Sequence, residues 1–196
     1  VDFALRMSAL KDRQNFESQT PYRVHRQTLD RVKHDAKRLG RRFDGSNEFS
    51  AAQMLAVAFP DRIGKRRKGD DARCVLSGGK GAILDNSDAL ANAGYIVAIE
   101  LDGNPRDARI LQAIQITEPE IREVFSDSLT KSTSCVWSKR DRRVITRSQE
   151  TFGNIALSDT PWTNAPDDEV ANAMLDGVRD LGFQWSPAEA RFLARV

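Results

Sequence analysis

Cysteine and histidine are scarce: the 196-residue chain has two of each. Cys74 and Cys135 are far apart in sequence, and a disulfide framework or a tetrahedral zinc site needs more such residues at close spacing. His25 and His34 are nine positions apart, which puts them on opposite faces of a helix and not at the i, i+4 spacing of a metal pair. They read as surface residues, and the two cysteines as small core residues within strands. Long apolar runs are also missing. Tyr95 to Ile99 is far short of the roughly 20 residues a membrane span needs, and no basic-then-apolar signal opens the chain. The expectation is a cytoplasmic protein without a membrane partner.

Catalytic signatures are absent as well. Ser77-Gly78-Gly79-Lys80-Gly81 lacks the spacer of a phosphate-binding loop and the Ser or Thr that follows its lysine, so autonomous nucleotide hydrolysis is not encoded. No nucleophile sits in a glycine elbow, and two histidines leave few candidate bases. The acid pairs Asp70/Asp71 and Asp167/Asp168 stand beside turns or helix starts, where carboxylates cap free N–H groups. A freestanding enzyme is the least supported reading.

What the chain does have is charge, unevenly spread. The net charge is +2, yet residues 148–196 hold 3 basic against 8 acidic side chains, so the preceding part is strongly basic. Arg62, Lys65, Arg66, Arg67 and Lys68 come within seven positions with no acid among them, and Lys139, Arg140, Arg142 and Arg143 surround only Asp141. Such clusters suit a polyanion, or are simply solvated loops.

Periodicity divides the chain. The first sixty residues read as three helices: residues 2–13, a helix with Leu29, Val32, Ala36 and Leu39 inward, and Phe49 to Phe59, capped by Ser46 or Asn47 and stopped by Pro60. Gln14 to Pro21 reads as a loop. The period then becomes strand-like. Ala72–Leu76 and Gly81–Leu84 flank a glycine turn; Tyr95–Leu101 and Asp107–Ile116 form a second hairpin; Ser132–Ser138 and Arg142–Arg147 form a third, which Thr151–Leu157 extends or follows. Thr117 and Glu120 make a capping box for a helix between the second and third hairpins. Near the end, Val170, Met174, Leu175 and Val178 form an inward stripe of a last helix, with Gly182 close to its end. Of the aromatics, Tyr95 and Trp137 lie in strands, where a ring either packs into a core or stacks a base; Trp162 and Trp185 read as packing residues. The expected class is α+β: N-terminal helices, then a small OB-like antiparallel barrel starting near Ala72 with an inserted helix between its third and fourth strands, then a C-terminal helix.

One stretch is more specific. Leu55-Ala56-Val57-Ala58-Phe59-Pro60-Asp61-Arg62-Ile63, followed by Lys65-Arg66-Arg67, resembles a segment of the HrpB family of bacterial DEAH-box ATP-dependent helicases. The likeness continues through Val75–Ala82, Asp88–Ala91, Tyr95–Asp102 and Asp107-Ala108-Arg109-Ile110. Gly64 stands where the family often has Ala, and Gly79-Lys80 where Gly or Asn precedes Arg; lysine keeps the charge but lacks the planar fork of arginine. The resemblance implies a piece of a longer protein: 1–60 as the end of a helical bundle, 61–160 as an OB-like barrel, 161–196 as a C-terminal helical segment. It implies ATP and Mg for the parent, whose motor domains are absent here, and no cofactor or metal in this piece. The reading is an accessory module that guides single-stranded RNA or DNA, with Arg62, Lys65, Arg66, Arg67, Lys80, Lys139, Arg140, Arg142 and Arg143 on phosphates. Its rival is a docking module that supports the motor domains without touching the strand.

Overall fold

A computed structural model describes residues 1–42, 48–69, 71–104 and 107–182, with 187, 191, 192 and 194 beyond them. By internal contacts the chain divides into two compact units: 1–129 with 152–155, and 130–151 with 156–196.

The first unit opens with α1 (Phe3–Lys11), α2 (Arg13–Gln19), α3 (Arg26–Gly40) and α4 (Ala51–Ala58). The polar stretch expected to be a loop is helical in α2. Asp12 caps it by accepting from the Asn15 N–H, and Phe16 is buried with its ring stacked on Tyr22. A cap and one buried aromatic outweigh the polar composition of so short a segment. The stripe read as inward on α3 is a correction too. Leu29 is buried, while Val32, Ala36 and Leu39 are exposed in this chain. The N-cap of α4 is Ser50, in a full capping box with Gln53; Ser46 and Asn47 lie outside the described residues.

A closed barrel follows, made of β1 (Ile63–Arg66), β2 (Arg73–Leu76), β3 (Gly81–Ile83), β4 (Tyr95–Leu101) and β5 (Asp107–Ile116), in the cyclic order β1-β2-β3-β5-β4. All pairings are antiparallel except β3 with β5. Its interior is filled by small and branched side chains, including Ala72, Cys74, Leu76, Ala82, Ile96, Ala98, Ile110 and Ala113, which suit the narrow lumen of a small barrel. The α+β class and the barrel are as expected, but two details differ. The barrel starts at Ile63, because part of the basic run is itself a strand: Gly64 and Arg66 pair with Leu76 and Cys74 of β2. And α5 (Glu118–Val124) follows the last barrel strand, only a short 3-10 turn at Ala89–Asn92 standing between β3 and β4. The capping box of Thr117 with Glu120 is present as expected.

The second unit is built on β6 (Thr130–Ser138), β7 (Arg143–Phe152) and β8 (Ile155–Pro161), a separate three-stranded sheet in sequence order, with α6 (Asp167–Leu181) against β6. The third hairpin therefore belongs to this sheet and not to the barrel. On α6 the buried positions are Ala173 and Gly177, whereas Met174, Leu175 and Val178, expected inward, are exposed. The reason is steric: a Cβ on Gly177 would lie 2.6 Å from the Trp137 ring, so only the smallest residues let the helix approach this strand.

Candidate nucleic-acid interface

The nine basic residues named from the sequence fall in two places. Arg62, Lys65, Arg66, Arg67 and Lys80 belong to the barrel, and Lys139, Arg140, Arg142 and Arg143 surround the β6–β7 turn of the second unit.

Several of the barrel cations are engaged by the fold. The Arg62 guanidinium donates to the Ile99 carbonyl at 3.0 Å and lies over the Phe59 ring at 5.0 Å. Arg66 donates through Nη1 to Asn92 Oδ1 at 2.9 Å, its backbone N–H donates to Gly94, and its Nε is buried without a hydrogen bond among the described residues. Both arginines thus tie β1 and the turn before it to β4 and the 3-10 turn. Lys65 sits 5.6 Å from the centroid of the Tyr95 ring. That ring is half-buried and its hydroxyl donates to Glu118 at 3.3 Å, so burial and then the Glu118 carboxylate push the phenol up to about 12. A ring held this way, with a cation on it, is part of the scaffold. Arg67 and Lys80 are exposed and have no ion-pair partner among the described residues.

The glycine turn that carries Lys80 is a docking element of the barrel. The N–H groups of Ser77, Gly78 and Gly79 donate to Ile63, Asp61 and Leu76, and Asn154 donates to the Ser77 carbonyl through both its backbone and its side-chain nitrogen. A Cβ on Gly78 would meet the Asp61 carbonyl at 2.9 Å, which explains a glycine there without any ligand. Turn amides already spent on the protein cannot cradle a phosphate, so ATP does not fit this turn. Among the described residues no group of His, Cys, Asp and Glu could hold a metal ion, and no helix is long and apolar enough to cross a membrane.

In the second unit Lys139 pairs with Asp180 of α6 at 2.5 Å, which raises the lysine and lowers the carboxyl. Trp137 is half-buried over Gly177 and donates to the same Asp180 at 3.4 Å, so its ring packs against the helix. Arg140, Arg142 and Arg143 are exposed, without an ion pair among the described residues. Trp162 is half-buried and Trp185 lies outside the described residues.

Sequence reasoning passed over two barrel arginines, Arg73 on β2 and Arg109 on β5. Both are exposed and point away from the lumen, since they alternate with the buried Cys74, Ala108 and Ile110. The only signal was that alternation; nothing in the sequence brings positions 73 and 109 together.

A closed five-stranded barrel with cations on its outer strands and turns, preceded and followed by helices, defines an OB-like module. The comparisons narrow this to one family. The chain is 33% identical over 148 residues to ATP-dependent RNA helicase HrpB of Escherichia coli (strain K12), an alignment covering 74% of this chain and 18% of that protein. Two crystal structures of E. coli HrpB are similar to it: one, described as a DExH-box NTPase, has TM-score 0.53 and 33% identity over 69% of this chain and 17% of that one; the other, described as a DEAH/RHA helicase, has TM-score 0.52 and 27% identity over 82% and 20%. No family model matches. The chain belongs with the HrpB helicases, as the Pro-Asp-Arg-Ile block and its flanks implied, and spans about a fifth of the relatives it matches.

Proposed function

We propose that this chain is an accessory region of an ATP-dependent DEAH-type helicase and that it binds and guides a single strand of RNA or DNA which motor domains of the same parent move. The observation that carries the reading is the 33% identity to an RNA helicase over most of this chain. The exposed cations of the barrel and of the β6–β7 turn support it, because side chains of this kind neutralise phosphates without reading sequence. In this reading ATP hydrolysis, with its Mg, belongs to the parent's motor domains and the cytoplasm is its place of work. The chain by itself is expected to turn over no ATP, and the occupied amides of the turn most like a phosphate loop support this.

The test is binding of the 196-residue chain to labelled single strands across a salt series. Affinity that falls linearly in log–log form supports the reading, and no binding at low salt removes it. The docking alternative is favoured by one observation, the exposed Met174, Leu175, Val178 and Leu181 along α6, an apolar stripe that an adjoining protein surface would cover.

A further inference from the structure

We propose that the strand-contacting surface of the barrel is a row of three arginines, Arg67, Arg73 and Arg109, running across the outer face of β2, β3 and β5. The inference rests on the single-strand reading above and assigns it to residues which the sequence had not joined.

The row follows from the register. Arg67 donates its backbone N–H to the Arg73 carbonyl at 2.8 Å; Arg73 is paired with Ile83 of β3, and Ile83 with Arg109 of β5. Neighbouring strands lie about 4.8 Å apart, so the backbones of Arg73 and Arg109 are about 10 Å apart, with Ile83 half-buried between them and Arg67 one step further on. Three shallow depressions lie along this line. The first shares Asp71 and Arg73 with the second, and the second shares Ile83, Leu84 and Asp85 with the third. Shared walls make them a track, which suits an extended chain of repeating charge better than a compact ligand.

The chemistry along the track suits phosphates. Among the described residues, Lys68 adds a fourth cation at the Arg67 end, against the three carboxylates of Asp71, Asp85 and Asp107. Asp71 and Asp107 approach Arg73 at 3.3 and 3.5 Å, and Asp85 approaches Arg109 at 3.7 Å, with all these side chains about half exposed or more. Pairs this exposed and this long are weak and exchangeable. They keep the guanidinium groups spread over the sheet until a phosphate, which accepts two parallel N–H bonds from an arginine fork, takes their place. Ile83 offers an apolar contact to the sugar or base between two phosphates. The carboxylates then act as competitors, so removing one strengthens binding.

The experiment titrates labelled oligouridine and oligodeoxythymidine with the full chain and with Arg73→Ala, Arg109→Ala, Asp107→Asn and, away from the barrel, Arg140→Ala, over a salt series and with melting curves. Each row arginine is expected to cost roughly fivefold in affinity and to lower the salt slope by about 0.7, and Asp107→Asn is expected to bind more tightly, all with melting curves like the parent's. If Arg73→Ala lowers the melting temperature, Arg109→Ala and Asp107→Asn still decide. Strand binding that none of the row substitutions alters would overturn the row and leave the broader reading standing. No strand binding by the unsubstituted chain would overturn both, and a row-dependent response to polyglutamate in place of nucleic acid would reassign the row to an acidic protein surface.

Discussion

Gly177 lets α6 approach the Trp137 ring of β6. With the Trp137 ring 2.6 Å from where a Cβ would be, Gly177→Ala forces α6 away from β6 and strains the Trp137 and Lys139 contacts to Asp180, and overpacking of this kind costs about 1–3 kcal/mol. The expected readout is a lowered melting temperature with a shifted tryptophan emission. Arg62 is the corresponding residue of the barrel. Because its guanidinium is spent on the Ile99 carbonyl and the Phe59 ring, Arg62→Ala is expected to lower the melting temperature while leaving the salt slope of strand binding unchanged, to be measured on one preparation. Cys74 sets an alkaline limit. Burial pushes its thiol up to about 11 from an ordinary 9, so the folded state favours the neutral form. Its stabilising contribution is whole below pH 9 and is lost as pH rises through about 11. Denaturant midpoints measured from pH 8 to 11 are expected to fall less steeply in Cys74→Ala than in the parent.

At the scale of elements, two helices share one carboxylate. Ser50 caps α4 and donates its hydroxyl to Glu120 at 2.7 Å, while Glu120 accepts from both the Thr117 N–H and its hydroxyl as the N3 residue of α5's own box. Gln53, buried, adds a second link by donating to Glu123 at 2.8 Å. Burial opposes the charged form, yet the bonds from Ser50 and Thr117 hold the Glu120 carboxyl below its ordinary range. Thr117→Ala is expected to cost about 1 kcal/mol through the lost cap. Since Ser50 and Thr117 meet on one side chain, the double substitution with Ser50→Ala is expected to depart from additivity by about 0.5 kcal/mol or more in chemical denaturation. Additive losses would show that the two boxes work independently.

For the whole molecule, the proposed division of labour is between cations whose side chains are bonded to the barrel and cations exposed on its outside. Arg62 is bonded to Ile99 of β4, and Arg66 to Asn92 of the 3-10 turn and to Gly94, so two arginines in and beside the most specific block of the HrpB resemblance are engaged by the fold. Arg67, Arg73 and Arg109 stand on the outside of the barrel. A purified chain free of motor protein is expected to release no phosphate from ATP, with or without nucleic acid, in a colorimetric assay; turnover would mean that a site exists which neither the motifs nor the amide geometry of the glycine turn reveals.

The sequence by itself determined the family, the end of the N-terminal helices at Pro60, three hairpins with their turns, the Thr117 capping box and the lack of a phosphate-loop motif. All of these are local: they depend on periodicity, caps and turn chemistry within about ten residues. It did not determine that β1 lies within the basic run, because a short strand that completes a barrel takes its identity from its partners β2 and β4 and not from its own composition. Nor did it determine which face of α6 turns inward, since hydrophobicity favoured Met174 and Val178, whereas the buried positions are Ala173 and Gly177, the latter against the ring of Trp137. The arginine row is the extreme case. Positions 67, 73 and 109 meet only through the pairings of β2 with β3 and β3 with β5, and strand register is a property of the closed barrel.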